Sequence, residues 1–239
     1  MPILSRTSPL KAAALAGFVA SLTATTVFAE VSSSTVKMLT ANFDQRQVTQ
    51  VEVGDFHFAP GQIGPLHTHA APAVGYIVRG TIVLQVEGED PQILREGDAF
   101  YEPAGPRILQ FNNASATEEA IFVDFNIEQH GEPFIVFENP PTENIDRRTL
   151  PTFDIEDGPV SNVDISKTEL AADDKTKIDN AKPVFGLIAE GIVTIVADGA
   201  DPIRVVAGES FAVPEDAKDV TFANASSELP AKIITFTMY

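Results

Sequence analysis

GYIVRGTIVLQVEGEDP, residues 75–91, lies without a gap over GLIAEGIVTIVADGADP, residues 186–202, when the chain is compared with itself at an offset of 111 residues. The correspondence continues with REGDAFYEPAGPRILQFNNAS (95–115) over VAGESFAVPEDAKDVTFANAS (206–226). Gly75, Gly80, Gly88, Asp90, Pro91, Gly97, Phe100, Pro103, Phe111, Asn113, Ala114 and Ser115 recur as Gly186, Gly191, Gly199, Asp201, Pro202, Gly208, Phe211, Pro214, Phe222, Asn224, Ala225 and Ser226. Ungapped identity of this kind marks two homologous modules in one chain. The pieces are short, β-branched and aromatic, with Gly, Pro and Asp punctuating them. AIFVDFNI (120–127) and KIITFTMY (232–239) close the two modules. The fold class expected is all-β, with two barrels or sandwiches side by side.

Outward from the repeat, residues 1–29 read as a secretory signal. Arg6 and Lys11 precede a short run of small apolar residues ending in Val27 and Ala29, the positions a signal peptidase reads. The run is too short and too rich in Ala and Thr for a permanent anchor, so a secreted or periplasmic protein starting near Glu30 is expected. Loss of Arg6 and Lys11 takes the 16 basic residues to 14 against 34 acidic ones, a net charge of −20. Such a surface repels phosphate backbones and anionic lipid, which argues against nucleic-acid and membrane partners. There is no cysteine, which excludes disulfides, thiolate metal sites and cysteine nucleophiles. The first barrel is assigned to 30–137, a linker rich in Pro and Asp to 138–158, and the second barrel to 159–239. One strand, PFIVF (133–137), is expected to lie across a barrel on the way between them, because a long structureless connection is unusual in a compact protein.

The chemistry concentrates in GPLHTHAAPAVGYIVRG, residues 64–80. Strand alternation points His67 and His69 the same way, so both imidazoles could hold one ion. Gly61, His67, His69 and Gly80, followed by Gly97, Pro103, Gly105 and Asn112, resemble the two motifs of the cupin superfamily. The resemblance covers about residues 48–127, with a weaker copy over 160–239, so the chain looks like a bicupin. It implies two double-stranded β-helix (jelly-roll) barrels and an ion (Fe, Mn, Ni or Zn) held in a barrel mouth by three histidines and a glutamate. The family includes dioxygenases, isomerases, decarboxylases and lyases acting on small organic molecules. This chain departs from the motif at Ala73, in place of the glutamate, and at Ile108, in place of the last histidine. Opposite His67 and His69 the second module has Ile178 and Asn180, which points to a metal-free, degenerate barrel.

The remaining ligands must come from elsewhere in the first module, whose vicinity contains all four histidines: His57, His67, His69 and His130. His57, flanked by Phe56 and Phe58, is a metal candidate alongside His67 and His69. Glu102 and Tyr101, which become Val213 and Ala212 in the second module, are candidates for proton transfer, and Glu102 also for the ion. Gln110 could offer an amide oxygen. Arg107 could pin a substrate carboxylate, and His130 is expected on an exposed loop. Tyr76, Phe100, Phe111, Phe122 and Phe125 are core candidates. Sequons at Asn113 and Asn224 recur at the same place in both modules, which favours a shared strand-end turn over glycosylation. The function favoured is a metal-assisted enzyme in the first barrel acting on a small molecule. The alternative is a ligand-binding or structural bicupin, and a homo-oligomer is possible in either case.

Overall fold

A computed structural model describes residues 33–178, 182–198, 200–213, 217 and 219–239, and the expected signal at 1–29 lies outside them. Among the described residues there is no helix, so none is long and apolar enough to cross a membrane. The strands through the first module and the connection are β1 (Ser34–Phe58), β2 (His67–Thr68), β3 (Ala73–Arg79), β4 (Thr81–Val86), β5 (Gln92–Arg95), β6 (Ala99–Glu102), β7 (Arg107–Asn113), β8 (Ala120–Glu128), β9 (Val136–Phe137) and β10 (Asp146–Thr149). The second module contributes β11 (Phe153–Leu170), β12 (Lys175–Lys177), β13 (Val184–Glu190), β14 (Ile192–Val196), β15 (Ile203–Val206), β16 (Ser210–Val213), β17 (Thr221–Asn224) and β18 (Ala231–Met238).

One large sheet runs through both modules in the order β16-β13-β18-β11-β1-β8-β3-β6, with β10 also paired to β1. Each module is closed by its own smaller sheet, β5-β4-β7-β2-β9 in the first and β12-β17-β14-β15 in the second. The long strand β1 serves both: residues 34–51 pair with β11, and residues 50–58 pair with β8. Within the connection, β10 pairs with the far end of β1, setting Asp146 opposite His57 and Arg147 opposite Phe56. The fold is all-β and of the jelly-roll kind.

The repeat is visible as register. Ala73 faces Glu102 and Gly75 faces Phe100 in the first module; Val184 faces Val213 and Gly186 faces Phe211 in the second, 111 residues on in every case. The paired glycine is a packing requirement, because a Cβ at Gly75 would stand 2.2 Å from Phe100 Cζ, and one at Gly186 would stand 2.6 Å from Phe211 Cζ. Asn113 and Asn224 are also structural twins. The Asn113 amide donates to the carbonyls of Phe58, Ala59 and Glu118, and Asn224 to those of Leu170, Ala171 and Leu229. Both are buried with their nitrogens committed, so both act as turn fasteners.

Alternation divides the side chains among three cores. Phe56, Phe58, Ile82, Phe100, Phe111 and Phe122 fill the first barrel, and Val193, Phe211, Phe222 and Ile233 the second. A third core on the opposite face of the large sheet joins the modules: Phe125 lies 4.4 Å from Phe236 and 5.5 Å from Phe185, centroid to centroid. Burial of aromatic side chains on this scale makes the two modules one packing unit.

Candidate metal centre

Odd and even positions of β6 decide what reaches the first barrel. Phe100 and Glu102 point inward, whereas Ala99 and Tyr101 pack against the core between the modules. On β2, His67 sits opposite Ile108 of β7 on one side and Phe137 of β9 on the other, and His69 bridges to Ala104. The two imidazoles lie 5.2 Å apart, centroid to centroid, at a steep angle. Each is fixed through Nδ1, with the Pro65 carbonyl 2.7 Å from His67 and the Phe134 carbonyl 3.1 Å from His69. A ring that donates its Nδ1 proton to a carbonyl keeps the Nε2 lone pair for another partner.

Both Nε2 atoms face Glu102, His67 at 3.6 Å from one carboxylate oxygen and His69 at 3.5 Å from the other. These are long for hydrogen bonds. His69 Nε2 and Glu102 Oε1 are accordingly buried without a hydrogen-bond partner. The donor atoms of His67, His69 and Glu102 all lie within 4.8 Å of one another, and all three residues are buried. Two imidazole nitrogens and a carboxylate, converging and otherwise unpartnered, fit a divalent first-row ion. The carboxylate has changed strands: Glu102 faces Ala73 directly across the β3–β6 ladder, so the acid missing from the motif position is supplied from next door. Among the described residues no further His, Asp or Glu joins these three in place of the last histidine, and Ile108 at its position is buried in the barrel core.

The electrostatics of the metal-free protein follow from this proximity. Burial alone would raise Glu102, but His69 and His67 outweigh it and hold the carboxyl down at about 2. Burial alone would lower His69, but Glu102 carries it up to about 9. Asp124 of β8 is pushed up to about 8, first by burial and then by the charge of Glu102. Its Oδ1 is buried and unpartnered, and it lines an inner cavity of about 30 Å³ together with His67 and Glu102.

Of the candidates from the sequence, His67, His69 and Glu102 are brought together; His57 and Tyr101 are not. His57 shares the outer parity of β1 with Asp55, and its ring nitrogens lie 3.3 Å from Asp55 and Glu119. The Tyr101 hydroxyl donates to the Asn42 carbonyl on the far side of the sheet. Gln110 donates to Gln85, Arg107 is paired with Glu138 and Glu87, and His130 is exposed beside Asp154. Asp124 and Asn126 escaped the sequence reading. Their signal was polarity inside the apolar strand AIFVDFNI, where the second module has Thr235 and Thr237. Asn126 donates to the same Phe134 carbonyl that receives His69, so the connection between modules helps hold a ligand. In the second module Val213 stands at the position of Glu102 and Ile178 at that of His67, while Asn180 lies outside the described residues.

Residues 54–126 match the family model described as Cupin domain. A comparison with curated proteins finds no match. Solved structures of similar fold include oxalate decarboxylase from Bacillus subtilis, with TM-score 0.59 and 17% identity, covering 88% of this chain and 77% of that one. Salicylate 1,2-dioxygenase from Pseudaminobacter salicylatoxidans has TM-score 0.51 and 13% identity, covering 80% of this chain and 71% of that one. Vicilin from Capsicum annuum has TM-score 0.56 and 10% identity, covering 80% and 76%. At these identities the likeness concerns the fold. The family match thus covers the first module, residues 54–126, and the likeness of fold to these solved structures extends over both modules.

Proposed function

We propose that the first module is a metal-assisted enzyme for a small organic molecule, with Fe, Mn, Ni or Zn held by His67, His69 and Glu102. One observation carries this: His69 Nε2 and Glu102 Oε1 are buried, unpartnered and aimed at the same point as His67 Nε2. A divalent ion there would supply Lewis acidity toward a substrate oxygen, or redox chemistry with dioxygen. The protein's own contribution is clearer. The Pro65 and Phe134 carbonyls fix the tautomer and aim of both imidazoles. Phe56, Phe58, Phe111 and Phe122 line the inner cavity and make most of its wall apolar. Asp124, pushed up to about 8 in the metal-free protein by burial and then by the charge of Glu102, lines that cavity and is placed to take the proton-transfer role that Glu102 gives up as a ligand. The names of two similar folds, a decarboxylase and a dioxygenase, suit an oxidoreductase- or lyase-like reaction. Export to a periplasm or the medium completes the proposal and rests on residues 1–29 of the sequence.

The test is elemental analysis by mass spectrometry of protein purified without chelator or nickel affinity resin. It is compared with a variant carrying the second-module residues, His67→Ile/His69→Asn/Glu102→Val. About one equivalent of a transition metal, lost in the variant, is expected. Absence of metal from both after reconstitution would sink the proposal. It would favour instead the non-catalytic ligand-binding module, to which the buried Ile108 at the fourth ligand position already leans.

A further inference from the structure

We propose that Arg147, delivered by the segment between the modules, selects the substrate of the first module, and that this substrate is a small apolar molecule bearing one carboxylate. The assignment rests on the metal-site proposal for what happens to the molecule, but not for its binding. An inner cavity of about 30 Å³ has room for about one water and for no organic body. Outside it lies a groove of about 570 Å³, within the usual range for small-ligand pockets. Phe56, Ile135, Phe137 and Ile145 line both spaces, so a molecule in the groove is one layer of side chains from His67 and Glu102.

Arg147 is the cation of this groove, whose wall is mainly aromatic and aliphatic, with Glu143 and Asn144 at one part of it. Its guanidinium carbon sits 3.9 Å from the centroid of the Phe134 ring. Nη2 donates to Glu52 at 2.5 Å. Nε is buried over Gly54, where a Cβ would stand 2.9 Å from it, so the absence of a side chain at Gly54 makes the seat. Ring, carboxylate and glycine thus hold the planar group on three sides. Nη1 has no protein hydrogen bond among the described residues. A guanidinium fixed in this way keeps donors for one carboxylate at little further cost in side-chain order. Arg107 cannot play the part, because Glu138 and Glu87 already occupy it. Glu143 on the same groove, and a formal net charge of −18 over the whole chain, disfavour a polyanion. An apolar monocarboxylate is the ligand that satisfies both walls and the cation.

The experiment titrates chelator-treated protein with benzoate, and with benzyl alcohol as its uncharged counterpart, by NMR shift perturbation. Benzoate is expected to move the signals of Phe134, Ile135 and Ile145, and to bind more tightly than the alcohol. Arg147→Gln should weaken benzoate by about tenfold or more, the value of a hydrogen bond to a charged group, and leave the alcohol unchanged. Ile135→Trp adds bulk to the groove while keeping Arg147 and Glu52 as they are in sequence, and should abolish binding of both. If Arg147→Gln does not fold, Arg147→Lys and Ile135→Trp decide the matter. No benzoate binding at millimolar concentration, shifts confined to another surface, or equal affinity in the Arg147 variants would each overturn the assignment. Metal content is read on the same proteins before chelation. Benzoate binding absent with metal present defeats this proposal alone; metal absent with benzoate bound defeats only the metal-site proposal.

Discussion

Raising the pH should tighten metal binding steeply, because the site must lose a proton to accept an ion. His69 in the metal-free protein is raised to about 9 by Glu102 against the opposing effect of burial. At pH 7 only about 1% of the molecules therefore offer the Nε2 lone pair. Each unit of pH below 9 changes that fraction by about tenfold, so affinity should rise by about 100-fold between pH 6 and pH 8. A histidine at its ordinary value would give a rise of only about fourfold over the same range. Asp124, held near 8 by burial and by Glu102, adds to the slope if the incoming cation drives off its proton as well. In Asp124→Asn the slope should return to about one decade per pH unit. The assay is competition for zinc or cobalt against a chromophoric chelator of known pH dependence. Calorimetry in two buffers of different ionisation heat counts the protons released. An affinity that changes by less than about fivefold from pH 6 to pH 8 would refute the reasoning, since the Glu102–His69 attraction would then be too weak to hold the proton.

The same pair shapes the stability of the metal-free protein. Glu102 is lowered, so its contribution is present above about pH 4.5 and lost as pH falls through about 2; His69 is raised, so its contribution is present below about pH 6.5 and lost as pH rises through about 9. Asp124 is raised and erodes stability from about pH 4 through about 8. Urea unfolding should therefore show an optimum at about pH 4 and a decline toward about pH 9 that Asp124→Asn makes shallower. Ile108→His places an imidazole directly across from His67 and should tighten metal binding by about tenfold or more; unchanged affinity in a folded variant would show that the barrel has closed around this position. Asn113→Ala and Asn224→Ala should each cost about 3 kcal/mol in chemical denaturation, because three backbone carbonyls lose their donor in either case.

The duplication was legible because its markers are backbone requirements. Gly75 and Gly186 must admit a phenylalanine ring, and the asparagines must fasten a turn, so the same residues recur 111 positions apart. His67 and His69 were legible from alternation alone. Glu102 could be suspected because an acid stood where the other module has Val213, but the same comparison raised Tyr101 equally. Strand parity separates the two, since neighbouring residues cannot share a face. His57 falls to the same rule: with Phe56 and Phe58 in the barrel, it must face away from it. The groove was not legible. Its walls come from Phe134 to Arg147, and what brings them to the mouth is pairing of β9 with β2 and β10 with β1, between segments about 70 to 90 residues apart. No local pattern in a Pro- and Asp-rich connection announces such partners.

The difference between the modules is one substitution made in three places. A buried carboxylate without a cationic or metal partner is costly, and removing one member of a buried pair typically costs about 3–5 kcal/mol. His67 and His69 therefore support Glu102 as a buried carboxylate in the first barrel. In the second barrel the residues at those positions, Ile178, Asn180 and Val213, have abandoned the arrangement together. The Ala73–Glu102 pair shows how the first barrel kept it. A small side chain on β3 leaves space for a longer one on β6, whereas Val184 and Val213 share the same volume as two medium ones. This coupling also decides how the site should be dismantled. Replacing His67 and His69 alone strands a buried Glu102, and lost folding would then pass for lost metal. Replacing all three by the second module's residues removes the donors and the unpaired charge at once, so a folded variant without metal reports on coordination itself.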